Sequence, residues 1–148
     1  MAKSAVSIWI FLAVFLVACT SDPETPEVIF DGDGCTYSGP TELTTGDHSF
    51  VFKDLSDQKQ ELWSGQITGG HTYQDLLDLQ SEPGEYIPKP NWIFHPRLLS
   101  QELDESVGAE VYTWRFVMEG DYELTAGLDN PPSVWFCGSF QVVEAPDE

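Results

Sequence analysis

Apolar and polar residues alternate one for one along several stretches of this chain, and that period of two restricts the fold more than any other feature. Tyr112, Trp114, Phe116 and Met118 share one parity of 110–118, while Thr113 and Arg115 take the other. Phe50 and Phe52 alternate with polar neighbours over 48–53. Val134, Phe136, Phe140 and Val142 recur in the last stretch, with Trp135 on the opposite parity. Successive side chains of a strand point to opposite faces, so each stretch predicts a half-buried antiparallel strand with one face on a core. Shorter strands are predicted at 28–30, 35–37, 42–44, 61–67 and 122–125.

Turn chemistry separates these stretches: Gly39-Pro40, Thr45-Gly46-Asp47, Gly69-Gly70, Glu119-Gly120-Asp121 and Asn130-Pro131-Pro132. One segment departs from the pattern. Residues Thr72 to Asp75 have the form of a helix cap ahead of Leu76, Leu77 and Leu79, which predicts a short helix. Pro83, Pro88, Pro90 and Pro96 then forbid long regular structure over 81–96. Seven or eight strands in about 120 residues, with one short helix, predict a single all-β domain built as a Greek-key β-sandwich.

The first eighteen residues stand apart from that domain. Lys3 precedes an apolar run, 8–16, that is too short to span a bilayer comfortably, and small residues follow. This is the pattern of a secretory signal peptide, an apolar signal helix ahead of the folded part. It closes on Leu16-Val17-Ala18-Cys19, which resembles the lipobox of bacterial lipoproteins. The resemblance implies cleavage before Cys19 and a diacylglyceryl group on that cysteine. It also implies anchorage through acyl chains in the cell membrane or outer membrane, facing away from the cytoplasm. Residues 19–27 are polar, acidic and proline-containing, and read as a flexible tether reaching up to roughly 25 Å. The sandwich domain is then 28–148.

The chain has three cysteines. With Cys19 assigned to lipid by that resemblance, Cys35 and Cys137 are left in an oxidising compartment. A disulfide between them is the leading expectation, ahead of two free thiols and of metal ligation. It would close a loop of about 100 residues, worth about 4.7 kcal/mol in chain entropy. Neither residue has the CxxC or CxxH spacing of a metal site.

Acids outnumber Lys and Arg by 25 to 6, a formal charge of −19. They are scattered from Asp22 to Glu148, as on a solvated acidic surface. Nucleic acid is not an expected partner, since binding it requires clustered Lys and Arg. Anionic lipid would repel the domain, so the membrane is expected as a partner only through the lipid on Cys19.

Three stretches point to a particular sandwich. Residues 39–52, GPTELTTGDHSFVF, resemble the early strands of cupredoxin-like domains, and GDYEL at 120–124 with GSFQV at 138–142 resemble their last two. The resemblance spans roughly 28–143 and implies a cupredoxin-like fold. Gly-x-Tyr before a strand also fits the tyrosine corner of immunoglobulin-like sandwiches, the alternative. Copper does not carry over. The family's site takes an early His, then Cys, His and usually Met near the last loop. Here Ala126 stands four residues past Tyr122, no His follows His95, and the last Met is Met118. No cofactor and no metal site are expected.

His48, His71 and His95 are spaced by 23 and 24 residues and read as separate histidines, a three-His site arising only if the fold converges them. Asp31-Gly32-Asp33-Gly34 begins like a calcium loop with Glu42 at its twelfth position. Thr36 at the sixth and Pro40 inside exclude an EF-hand and leave an acidic turn, with adventitious calcium at Asp31 and Asp33 the alternative. Ser64-Gly65 lacks the leading glycine of a nucleophile elbow, and no phosphate loop is present. No catalytic residue is predicted, and the chain is not expected to be an enzyme. Trp92 and Tyr86 in the proline-rich segment, with Trp135, are the candidate ligand-binding residues, because Trp and Tyr commonly anchor recognition surfaces. The bland reading of these rings is that they cover the end of the sandwich. The expectation is a non-catalytic module that binds an unknown protein or extracellular ligand. The alternatives are a metal-binding (Ca, Zn or Cu) envelope protein and a polysaccharide-binding sandwich using Trp92 and Trp135.

Overall fold

The computed structural model describes residues 25–146, so the signal segment 1–18, Cys19 and most of the tether lie outside the described residues. Among the described residues ten strands form two five-stranded sheets. The first runs β2 (Cys35–Ser38), β1 (Glu27–Phe30), β4 (Gly46–Asp54), β8 (Ala109–Phe116), β7 (Arg97–Asp104). The second runs β3 (Glu42–Thr44), β10 (Pro132–Val143), β9 (Gly120–Asp129), β5 (Glu61–Ile67), β6 (Ile93–Phe94). Neighbours are antiparallel except β1 with β4 and β3 with β10, so both sheets are mixed. With one short helix, α1 (Tyr73–Leu77), the domain is an all-β sandwich.

The predicted alternation places the core. Phe50 and Phe52 of β4, with Tyr112, Trp114 and Phe116 of β8, face Leu62, Tyr122, Leu124, Ala126, Phe140 and Val142 of the second sheet. Phe50 sits 5.4 Å from Trp114 and 5.5 Å from Phe140, ring centre to ring centre, and Phe116 packs edge-on to Tyr122 at 5.0 Å. Each such ring removed from water stabilises by roughly 1.5–3 kcal/mol. A disulfide joins Cys35 to Cys137, Cα to Cα 4.4 Å, and so links the two sheets across 102 residues of sequence.

The structure corrects three details. Met118 was expected on the apolar face of 110–118, but β8 ends at Phe116 and Met118 is 58 % exposed. Val134 and Phe136 were expected to share a face with Phe140 and Val142. A β-bulge between Phe136 and Gly138 reverses the parity, so Trp135 and Cys137 join Phe140 and Val142 on the core side while Phe136 turns outward. Gly138 allows that bulge to close, since a Cβ there would lie 2.8 Å from the Cβ of Tyr37. Finally, β6 and β7 exceed the seven or eight strands expected. β7 is an edge strand, with Leu98, Leu99 and Leu103 all exposed, and carries no one-sided alternation to announce it.

The second sheet is covered on both sides. Its inner face meets the main core. On its outer face Ile67, Leu76 and Ile93 form a smaller cluster with Tyr73, Ile87, Trp92 and Phe136. The covering layer is α1 and the proline-rich segment after it. Helix α1 starts at a reciprocal cap: the Thr72 hydroxyl accepts from the Asp75 amide at 3.2 Å, and the Asp75 carboxylate accepts from the Thr72 amide at 2.7 Å. Leu76 is thereby turned down onto the sheet.

Candidate functional site

Between that covering layer and the sheet lies a cleft of about 180 Å³. Its floor is the outer face of β5, β9 and β10, through Trp63, Glu123, Thr125 and Phe136. Its roof and rim are Tyr86, Ile87, Lys89 and Pro90 of the proline-rich segment. His95, just after β6, stands at one side.

The segment is held in place by a few specific bonds. The Gln80 side-chain amide donates to Glu85 O at 2.6 Å and to Val134 O at 2.8 Å, on the part of β10 that β3 does not reach. Thr68 donates both its amide (3.0 Å) and its hydroxyl (2.9 Å) to Trp92 O, tying the far end of the segment to the end of β5. The prolines between these anchors remove backbone donors and pre-set φ, which lowers the entropy cost of holding so long a connection in one shape.

Glu123 is the unusual residue of the floor. It lies on the outward parity of β9, between core-facing Tyr122 and Leu124, and is only 3 % exposed because the covering segment closes over it. Gly65 stands directly opposite on β5, and its missing side chain is the room the carboxyl occupies. A Cβ at Gly65 would lie 2.5 Å from Glu123 Oε1 and 2.5 Å from Ile93 Cγ2. The Thr125 side chain favours the ionised carboxyl, and among the described residues Oε2 has no hydrogen-bond partner. Burial pushes the Glu123 carboxyl up to about 8, with Thr125 opposing. Tyr73, half-buried in α1, has its phenol raised by burial and by the charge of Glu123.

Two further polar side chains of the cleft are His95 and Lys89. His95 Nδ1 lies 2.6 Å from Ser64 O; a carbonyl only accepts, so Nδ1 carries the proton and Nε2 is the nitrogen left over. Lys89 makes no ion pair among the described residues, whereas Lys53, Lys59 and Arg115 are paired with Glu27, Glu110 and Asp47.

Of the three rings predicted for ligand binding, Tyr86 alone lines this cleft, and it is 53 % exposed. Trp92 is half-buried in the outer cluster with its ring stacked on His71 at 4.3 Å. Trp135 packs on Phe30 at 5.4 Å, under Gly84, which has a φ of +82° and would drive a Cβ into the indole. The three are not brought together. Nor are the histidines: His48 lies on the first sheet with Nε2 at 2.7 Å from Thr44 O, His71 caps Trp92, and His95 belongs to the cleft. Among the described residues no group of three or more His, Cys, Asp or Glu side chains is arranged to hold a metal ion. Asp31 instead closes its own turn, accepting from the amides of Asp33 and Gly34.

Sequence reasoning missed Glu123, Lys89 and His95 as a group. One signal was present: a glutamate between Tyr122 and Leu124 in a strand whose outward positions, Glu123, Thr125 and Gly127, are all small or polar. It reads as ordinary solvent-facing alternation until something is known to cover it. Comparison with protein families, with characterised proteins and with solved structures finds no match for the chain.

Proposed function

We propose that this chain is a membrane-anchored, extracytoplasmic lipoprotein whose sandwich is a non-catalytic binding module, with the cleft beneath residues 81–92 as its recognition element. The observation that carries the binding role is Glu123: a buried carboxyl in the floor of a cleft with apolar walls, one of whose oxygens has no partner among the described residues. A buried polar group left unpaired costs roughly 1–3 kcal/mol, and a ligand that pairs it recovers that cost. The anchor rests on the lipobox-like ending at Cys19. The Cys35–Cys137 disulfide supports it, since such bonds persist in oxidising compartments.

Within the sandwich class, the cupredoxin-like arrangement is the better supported. Immunoglobulin-like domains are built from two antiparallel sheets, whereas here β1 with β4 and β3 with β10 run parallel. Neighbouring strands that are distant in sequence, such as β4 and β8, favour a Greek key over a meander.

Two experiments test this reading. Cys19→Ser should abolish acylation and membrane attachment, and a variant still acylated would remove the lipoprotein assignment. Crosslinking in intact cells from a photoreactive group at Tyr86 should trap a ligand or partner. No trapped species from Tyr86, with trapping from an equivalent group on β7, would move recognition away from the cleft.

A further inference from the structure

The chemistry of the cleft narrows what it takes. We propose that it binds a small organic cation, an alkylammonium group whose charge meets the Glu123 carboxylate while its apolar part lies among Trp63, Tyr86 and Phe136. This inference rests on the reading of the cleft as the recognition element.

Four observations support it. Glu123 is the one carboxylate among the residues lining the cleft, and its free oxygen is an acceptor once the group ionises. Three aromatic rings line the same small space, and ring faces attract cations. A volume of about 180 Å³ is below the roughly 300–1,000 Å³ of sites for drug-sized ligands, so a short chain or a single side chain fits. The formal charge of −19 raises the local concentration of cations and lowers that of anions.

The groups facing Glu123 are Tyr73 from α1, Thr125 from its own strand, His95 from beside β6, and Tyr86 and Lys89 from the proline-rich segment. Lys89 opposes a cation, but it is exposed at the rim on a long stem and can swing into solvent. Ionising Glu123 at pH 7 costs about a factor of ten in the binding equilibrium, and at pH 8 about a factor of two. Cation binding should therefore tighten as pH rises, binding of a neutral ligand should be nearly flat, and binding of a carboxylate should weaken.

The test is calorimetric titration of the purified full chain with n-butylammonium, n-butanol and butyrate at pH 6, 7 and 8. We expect n-butylammonium to bind best, with affinity rising more than tenfold from pH 6 to pH 8. Glu123→Gln should remove at least tenfold of the pH 8 affinity and most of that rise, and Lys89→Gln, at an exposed site, should tighten binding. Stronger binding of butyrate, a flat or falling pH profile, or weaker binding in Lys89→Gln would overturn the proposal. Equal binding of n-butanol would also overturn it while leaving the cleft a binding site. No binding of any probe would overturn it too, and the Tyr86 crosslinking result then decides the cleft's role separately.

Discussion

Gly65 and Glu123 stand opposite each other on β5 and β9, and the carboxyl of one fills the space left by the absent side chain of the other. Gly65→Ala should therefore act as an overpacking substitution. The new methyl meets both Glu123 and Ile93, and the expected loss is about 1–3 kcal/mol, read as a lower urea midpoint with unchanged slope. An alanine variant as stable as the parent would mean that the carboxyl does not occupy that space.

Glu123 also sets an unusual pH dependence. Its carboxyl is raised to about 8 in the folded state, against an ordinary value near 4.5 in the unfolded chain. Between those values the folded state keeps a proton that the unfolded state has released. Stability should then fall as pH rises from about 5 to 8, by up to about 1.4 kcal/mol per pH unit from this group alone. Glu123→Gln should flatten the profile and be the more stable form at pH 8. Asp47, Asp75 and Asp104 act the other way, their carboxyls lowered by hydrogen bonds from Arg115, Thr72 and Ser106, and their contribution is lost on acidification. Denaturation curves at pH 4, 5 and 8 for both proteins separate the two effects.

Two residues that look alike in sequence should behave differently. Phe50 touches Tyr37, Trp114, Phe116 and Phe140 with no exposed surface, so Phe50→Ala should cost about 3–5 kcal/mol. Met118 continues the parity of Trp114 and Phe116 but lies beyond the end of the strand, so Met118→Ala should stay within about 0.5 kcal/mol. Similar losses at both positions would place Met118 back on the core face.

Removing the Cys35–Cys137 bond with paired serines should lower stability by about 2–5 kcal/mol. The bond joins β2 of one sheet to β10 of the other across the shared core, so the loss should appear as an earlier cooperative transition rather than a partial one. A variant with an unchanged midpoint would show that the loop entropy is recovered elsewhere.

Much of this was legible beforehand. The strands over 42–44 and 61–67, the central parts of β1, β4, β8 and β10 and the Thr72 cap follow from local chemistry: alternation, turn residues and a capping pair. The Cys35–Cys137 pair was the leading expectation once the lipobox resemblance assigned Cys19 to lipid. The bulge at Phe136 was not read: Gly138 inside the strand is its one trace in the sequence, and a lone glycine does not say that an extra residue reverses the parity there. The edge strand β7 was hidden for a different reason. Lacking a buried face, it has no periodicity.

The site divides along the same line. Sequence by itself determined that this is a strand-built, acidic chain with Tyr86 on a proline-rich segment between strands, and left a Cys35–Cys137 bond as the leading expectation. Only the tertiary structure decided that this segment folds back over β9, turning Glu123 from an ordinary outward residue into a buried carboxyl with an unpaired oxygen. Alternation reports which face a side chain takes, and nothing in it reports what lies on that face. Burial, desolvation and the raised pKa come from contacts between residues about thirty to sixty positions apart, and those are made by the fold as a whole.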